Sequence, residues 1–416
     1  MCGLFGEFGY SLLNKNQFLT LNALSQNRGP DMSGYWSDNY YCQLGFNRLS
    51  IIDVSKNGNQ PMISQNGNWA IVMNGEVYNY PEIRKKLGKT TADFKSQTDT
   101  EVILAAFENW GIKKTLNIIN GMYAIALYER DNNRIHLIRD FAGVKPLYFG
   151  LMNNRVVFAS QYDQIFKHPS IKENLIPKKE SLTDFIRMGY IPAPNAFFKN
   201  TWQVQPGEIV TINKQMDVKK EIYYSFPQSI SEYKETDNHA IEKLDCILSD
   251  VVKSQLVSDV SIGALLSGGI DSPLICNYIQ KESPKLEVFT IGSSDPKYDE
   301  SDAARNYSNF LEIKNHLHIY TDEDLFRDLN DHFKAYSEPF GDYSSLPSFQ
   351  VCKNAKKIFT VVLGGDGGDE VFWGYPRFHR FTSHRSWFNL NMTSRLLFSS
   401  IIRKFSKLTF FKTIET

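Results

Sequence analysis

Chemistry is first suggested at Ser267-Gly268-Gly269-Ile270-Asp271-Ser272. The mostly apolar run Val260 to Leu266 before it reads as a strand covered on both faces. After it, Ser272 reads as the cap of a helix whose first residue is Pro273, where a missing N–H costs nothing. A strand, a glycine turn and a helix N-terminus together turn backbone N–H groups and a positive dipole end toward an anion, which suits phosphate. The hydroxyls of Ser267 and Ser272 can add contacts, and the Asp271 carboxylate can hold Mg²⁺ beside a triphosphate. The alternative is an ordinary strand-to-helix connection. Commoner nucleotide loops do not account for the stretch: no GxGxxG is present, and the only Gly-Lys-Thr, Gly88 to Thr90, has Ile83 where the other loop glycine belongs. A nucleotide loop without the lysine suggests cleavage between the α and β phosphates. Gly364-Gly365-Asp366-Gly367-Gly368-Asp369-Glu370 again pairs exposed backbone with carboxylates, as a site for nucleotide and Mg²⁺ or as a flexible acidic turn.

Cys2 is the second reactive position. Removal of Met1, permitted because the following side chain is small, would leave a thiol and a free α-amine on one residue, and the amine can act as the thiol's base. Arg48, in the apolar setting Asn47 to Ile52, suits bidentate capture of a carboxylate, or else a surface ion pair. Asn74-Gly75-Glu76 follows the apolar run Trp69 to Met73. An amide followed by a glycine N–H can form an oxyanion hole, although Asn-Gly is also a hairpin turn signal. Asp99, at a helix start, can receive an ammonium group or cap the helix. Together with Cys2 these residues describe a pocket for a free α-amino acid bearing a side-chain amide.

The elements that must position them fall into two classes. Residues 40 to 80 and 120 to 160 read as two groups of strands, and Thr98 opens a helix running to about Trp110 and stopped by Gly111, giving a layered α+β unit. Turns at Tyr190 to Asn195 and Gln205 to Glu208 mark a bridge, with a polar boundary from Pro227 to Asn238. Beyond 241, strand-like runs at Glu287 to Ile291, His316 to Tyr320 and Ile358 to Leu363 alternate with helical patterns. That alternation predicts an α/β doubly wound parallel sheet with ligands at the carboxyl ends of its strands. The division expected is 1–210, a linker over 211–240, and 241–416.

Length and charge are consistent with that plan. At 416 residues two domains are expected, and 46 basic against 46 acidic side chains offer no general attraction to nucleic acid or an anionic membrane. Cysteines at 2, 42, 246, 276 and 352 show no CxxC spacing, which indicates neither a disulfide framework nor a zinc site. A reducing cytoplasm fits, and no signal peptide or membrane-spanning run is recognised.

Six motifs carry a resemblance: Met1-Cys2-Gly3, Asn27-Arg28-Gly29-Pro30-Asp31, Arg48 to Asp53, Asn74 to Asn79, Thr98 to Glu101 and Arg139 to Tyr148. In this order they resemble the glutaminase half of the glutamine-hydrolysing asparagine synthetases, a class II glutamine amidotransferase with an N-terminal-nucleophile αββα sandwich. The resemblance implies that Cys2 attacks the glutamine amide, that Asn74 and the Gly75 N–H hold the oxyanion, and that Arg48 binds the substrate carboxylate. Glu76 and Asp99 would fix its amine, with Leu49, Ser50, Ile51 and Ile52 completing the glutamine-binding set.

Residues beyond 241 resemble the synthetase half, of the ATP-pyrophosphatase group, which adenylates a carboxylate. This implies that Leu266, Ile291, Gly364 and Gly365 contact ATP, and that Ser267, Gly268, Gly269, Asp271 and Ser272 hold pyrophosphate. Asp271 and Asp369 are then Mg²⁺ ligand candidates, and Asp366 stands where the acyl-adenylate forms. Pro273 and Gly364 replace hydroxyl residues usual in the family, and Asp366 is shorter than its frequent glutamate. The family's synthetase domain continues well beyond the equivalent of Tyr375, whereas here a basic tail including Arg403, Lys404, Lys407 and Lys412 follows. The expected partners are glutamine, ATP and a carboxylate acceptor, aspartate first, with a homodimer as the candidate assembly and no nucleic acid. Two alternatives stand beside it: an amidotransferase acting on another carboxylate, such as a surface-polysaccharide uronic acid, and a glutaminase subunit with an inactive synthetase half. The polar loop Glu338 to Pro347 fits either acceptor.

Overall fold

The computed structural model describes residues 1–227, 236–388, 390–395 and 398. Runs rich in aromatic and β-branched residues form the strands of the first half. In chain order these are β1 (Gly3–Gly9), β2 (Met32–Ser37), β3 (Cys42–Arg48), β4 (Met62–Ile63), β5 (Trp69–Val77) and β6 (Gly121–Glu129). They continue with β7 (Arg134–Arg139), β8 (Tyr148–Met152), β9 (Arg155–Ala159), β10 (Thr201–Gln203), β11 (Glu208–Asn213) and β12 (Val218–Ile222). One sheet has the order β10-β8-β9-β1-β3-β2 and the other β12-β11-β7-β6-β5-β4.

The inner faces of these sheets meet in an apolar layer, where Leu4, Phe8, Leu44 and Phe46 pack against Val72, Ala124, Tyr128 and Leu137. The helix Asp99–Leu116 covers the outer face of the second sheet through Val102, Ile103 and Phe107, which join Ile71, Met73 and Ile125 in one cluster. Phe18, Tyr162 and Ile165, on short helices, cover the outer face of the first against Phe5 and Val157. Each such aromatic or aliphatic side chain contributes about 1.5–3 kcal/mol by leaving water. The result is the expected αββα sandwich, with Cys2 immediately ahead of β1.

Several local expectations change. Residues 211–222, expected within the linker, carry the second half of β11 and all of β12, which pair at the edge of the second sheet, with Ile209, Val210 and Ile212 of β11 buried. The helix that begins at Asp99 is interrupted at Gly111 as expected, where the backbone leaves helical geometry (φ 76°), and a second helical stretch then runs on to Leu116. Asn74-Gly75 is no hairpin turn but lies inside β5, paired with Ala124 and Tyr123 of β6. Of the polar boundary, residues 228–235 lie outside the described residues, as do Arg403, Lys404, Lys407 and Lys412.

The second half opens with the helix Asp237–Ser254 and then forms β13 (Ile262–Leu265), β14 (Glu287–Ser293), β15 (Lys314–Tyr320) and β16 (Val361–Leu363). Their order is β15-β14-β13-β16 and every pairing is parallel. Strands β14 and β15 are added on one side of β13 and β16 on the other, so a crevice opens at the carboxyl ends of β13 and β16, where the connections diverge. Both glycine-rich stretches lie there. Helices pack through Cys276, Ile279 and Ala304 onto Ala264 and Val288.

The halves are joined by polar contacts. Tyr148 Oη donates to Glu338 Oε1 (2.5 Å), the Tyr162 N–H to Ser337 Oγ (2.8 Å) and the Gly341 N–H to the Gly189 carbonyl (2.6 Å). Burial pushes the Glu338 carboxyl up to about 7, against the lowering effect of the Tyr148 hydroxyl and the Arg139 charge. Among the described residues no helix is long and apolar enough to cross a membrane.

Candidate active sites

Cys2 opens into a cavity of about 410 Å³ whose walls include Arg48, Leu49, Ile51, Ile52, Asn74, Gly75, Glu76 and Asp99. Strand β3 ends at Arg48 and lets the following loop fold over the thiol: the Leu49 N–H donates to Cys2 Sγ at 3.4 Å. Strand β5 brings in Asn74, whose Oδ1 accepts from the Cys2 N–H (3.1 Å) while its Nδ2 donates to Ser160 Oγ (3.4 Å). Gly75 is required by close approach, since a Cβ there would run into the Met122 carbonyl on β6. Arg28, present in a quoted motif but given no role from sequence, donates through Nε to the Cys2 carbonyl (3.0 Å).

Charge within the cavity is divided. Burial pushes the Asp99 carboxyl up to about 6, although the Val77 and Thr100 N–H groups donate to it at 2.8 and 2.7 Å. Thr98, not Asp99, caps the helix. Glu76 is likewise raised by burial and then by the neighbouring Asp99 charge. Lys145, which sequence reasoning missed as a site residue although it stands in the Arg139 to Tyr148 motif, lines the same cavity, and burial lowers its ammonium. Burial also raises the Cys2 thiol, so its resting form is protonated and it needs a base to become a nucleophile.

Two site candidates are arranged differently from the expectation. Ser50 is buried outside the cavity wall, with its N–H on Asp31 Oδ2 (2.7 Å). Arg48 lines the cavity, but Nη1 donates to the Ser55 carbonyl (2.9 Å) and Nη2 to those of Ile52 and Asp53 (2.9 and 2.5 Å). Its guanidinium therefore also organises the loop that follows it.

The second cavity, of about 900 Å³, lies in the crevice between β13 and β16. It gathers Leu266, Ser267, Gly269, Asp271, Ser272, Ile291, Gly364, Gly365, Asp366 and Asp369. Gly268 stands apart from the wall, its N–H donating to Glu300 Oε2 at 3.1 Å, so Glu300 is a cavity residue that sequence reasoning missed. Ser272 does not cap the helix: the helix starts at Asp271, and Ser272 Oγ instead accepts from the Ser267 N–H (2.8 Å), closing the loop on itself. Gly365 fits because it packs on the other loop, where a Cβ would stand 2.8 Å from Asp271 Cβ and 2.8 Å from the Ser272 nitrogen. Among the described residues no group of three or more His, Cys, Asp or Glu is placed to hold a metal ion, but Asp271 and Asp369 face one cavity. Such a pair suits Mg²⁺ that arrives on triphosphate oxygens and takes few ligands from protein.

An apolar septum divides the cavities. Phe289, Ala355 and Phe359 form a cluster with Leu265, Ile291, Val351 and Val362. Of these, Leu265, Phe289, Ile291 and Val351 face the nucleotide-loop cavity, and Ala355, Phe359 and Val362 the Cys2 cavity. Val351 and Ala355 come from one helix, Ser345–Ala355, and lie one turn apart on the same face, so a single helix contributes to the walls of both cavities.

Residues 1–224 match the family model for a glutamine amidotransferase domain, and residues 243–413 that for asparagine synthase. A Methanocaldococcus jannaschii relative named for glutamine-hydrolyzing asparagine synthetase is 35% identical over 401 residues, covering 90% of this chain and 76% of that protein. Asparagine synthetase 1 of Bacillus subtilis is 31% identical, with 90% of this chain and 59% of its own covered. Asparagine synthetase B of Escherichia coli is also 31% identical, over 91% and 66% respectively. The chain thus spans between about three-fifths and three-quarters of the length of these curated relatives. Two consecutive domain matches in this order, over a sandwich that sets the half-buried Cys2 at a cavity and a sheet that carries the glycine-rich loops, lead to one assignment: the chain belongs to the family of glutamine-hydrolysing asparagine synthetases.

Proposed function

We propose that this chain is a two-site ligase that takes ammonia from glutamine and transfers it to an ATP-activated carboxylate, with aspartate as the acceptor. Once Met1 is removed, the Cys2 α-amine accepts the thiol proton and the sulfur attacks the glutamine amide carbon. Asn74 Nδ2 and the Gly75 N–H hold the developing oxyanion. The C–N bond breaks with return of the proton, ammonia leaves, and water cleaves the thioester to give glutamate. Glu76 and Asp99 receive the substrate ammonium, and Arg48 its carboxylate.

In the second cavity the acceptor carboxylate attacks the α-phosphorus of ATP and pyrophosphate leaves. Carboxylate oxygen is a poor leaving group until it carries AMP. Ammonia then attacks the acyl carbon beside Asp366, giving the amide and AMP. The loop Ser267 to Ser272 binds pyrophosphate through backbone N–H groups and hydroxyls. Mg²⁺, when bound, would neutralise the triphosphate oxygens, with Asp271 and Asp369 holding it.

The observation that carries this reading is the shared septum. Ammonia keeps its lone pair only where water is excluded, and an apolar partition lined on both sides by the same cluster supports direct passage between the sites. Ala355→Leu, which fills that partition, is expected to leave glutamine hydrolysis and ammonia-supported synthesis working while raising the glutamate-to-AMP ratio several-fold above one. Overpacking there costs about 1–3 kcal/mol. A ratio that stays at one in steady-state product counts contradicts the passage.

Asp99 sets a pH limit. Its carboxyl lies at about 6, so it is charged above that pH and neutral below it. Glutamine KM is expected to rise about tenfold between pH 7 and pH 5, following loss of the carboxylate. Asp99→Asn should raise KM at pH 7 and flatten this dependence. The whole reading is tested by supplying glutamine, ATP, Mg²⁺ and aspartate and measuring glutamate, AMP, pyrophosphate and asparagine in equal amounts.

A further inference from the structure

We propose that Asp259 is a positioning residue that couples the two sites, by tying the loop of the glutamine cavity to the strand that delivers the nucleotide loop. The proposal rests on the two-site reading above and adds to it a residue that touches neither substrate cavity.

The tie is reciprocal. The Asp259 N–H donates to the Ile51 carbonyl (2.9 Å), and the Asp53 N–H donates to Asp259 Oδ2 (2.7 Å). Asp53 is the junction of the glutamine-side loops. Its Oδ1 accepts from the Ser55 N–H and hydroxyl (3.1 and 2.6 Å), and its Oδ2 from the Gln97 N–H (2.8 Å), two residues ahead of Asp99. Its backbone is left-handed (φ 56°), a conformation that aspartate tolerates better than most residues and that these bonds hold in place here. The Asp53 and Ile52 carbonyls in turn receive Arg48. One carboxylate from the second half therefore helps to hold the segment that carries Ile51, Ile52 and Arg48.

On its other side Asp259 is three residues from β13. Ser258 Oγ accepts from the Val260 N–H (3.1 Å), which tightens the turn, and the Ser261 carbonyl accepts from the Val361 N–H (3.2 Å). Strand β13 then runs in register with β16 (Ile262 with Val361) and ends at the loop beginning with Ser267. The Asp259 turn is thus bonded to the glutamine-side loop on one side and to β16 on the other, and a single strand separates it from the nucleotide loop. A shift of the nucleotide loop on filling is carried along that strand to Asp259. A coupling free energy requires that this tie differ between the filled and empty nucleotide site, and such coupling acts equally in both directions.

The test uses the full chain in a Cys2→Ala background, where glutamine binds without turnover. Calorimetry measures glutamine Kd with and without Mg²⁺ and an ATP analogue that cannot be cleaved between its α and β phosphates. In Cys2→Ala the analogue is expected to tighten glutamine binding within the usual coupling range of about 5- to 150-fold. Adding Asp259→Ala should bring that factor to one while each separate Kd moves by roughly twofold or less, the scatter of independent substitutions. Asp259→Asn, which keeps an oxygen acceptor of the same size, should restore most of the coupling. Intact separate affinities show that the variants fold. A coupling factor that survives Asp259→Ala, or that equals one in Cys2→Ala itself while both ligands bind, overturns the proposal and leaves the two-site reading standing. Failure of Cys2→Ala to bind either ligand overturns both.

Discussion

Cys2→Ala is expected to abolish glutamine-supported synthesis and to leave ammonia-supported synthesis at the unaltered rate. Removal of the nucleophile from a covalent mechanism costs a factor on the order of 10⁴ or more, because the remaining groups were arranged around a bond that no longer forms. The change is local. Alanine keeps the N–H that bonds Asn74 Oδ1, and nothing on the nucleotide side of the septum touches the sulfur. Burial raises the thiol, so activation depends on the α-amine released when Met1 is lost. Any fraction that retains Met1 should behave as Cys2→Ala does, which intact mass and glutamate release on the same sample will check. Loss of ammonia-supported synthesis in Cys2→Ala would contradict the division between the sites.

Gly365→Val is expected to give the opposite result. A Cβ at this position meets Asp271 Cβ and the Ser272 nitrogen at 2.8 Å. Neither atom is the end of a flexible side chain, so the two nucleotide loops must separate. Overpacking of this kind costs about 1–3 kcal/mol, and at about 1.4 kcal/mol per factor of ten the ATP-dependent release of pyrophosphate should fall by about 5- to 140-fold. Further loss follows if the loops no longer close on one triphosphate. Glutamine hydrolysis, on the far side of Ala355 and Phe359, should persist. Pyrophosphate and glutamate measured on one preparation separate the two effects, and a parallel loss of both would instead indicate general unfolding.

Much of this was legible in the chain because the reacting groups carry their own local signals. Cys2 at the N-terminus, the double glycine after an apolar run and the second glycine and aspartate stretch each require a particular backbone setting, and the structure gathers them into two cavities. Strands β13 and β14 were readable because the inner strands of a parallel sheet are covered on both faces and need apolar runs between helices, whereas β15, at the edge and half exposed, mixes polar and apolar residues. Long-range pairing was not readable. Asn74-Gly75 looks like a turn until β6 pairs alongside it, and residues 211–222 look like linker until β11 finds β7. Ser272 has the composition of a helix cap, yet its hydroxyl turns back to Ser267, a choice between two local partners that composition does not decide. The septum has no local signal, since Phe289, Ala355 and Val362 are ordinary core residues whose placement between two cavities exists only in the folded chain.

The central claim is that nitrogen freed at Cys2 reaches an activated acyl group within one molecule. It is tested most directly with glutamine labelled with ¹⁵N at the side-chain amide, supplied with ATP, Mg²⁺, aspartate and an excess of unlabelled ammonium. The account predicts asparagine that carries ¹⁵N well beyond the bulk isotope ratio, with one glutamate and one AMP formed for each. Asparagine at the bulk ratio, or glutamate accumulating without AMP, would contradict it.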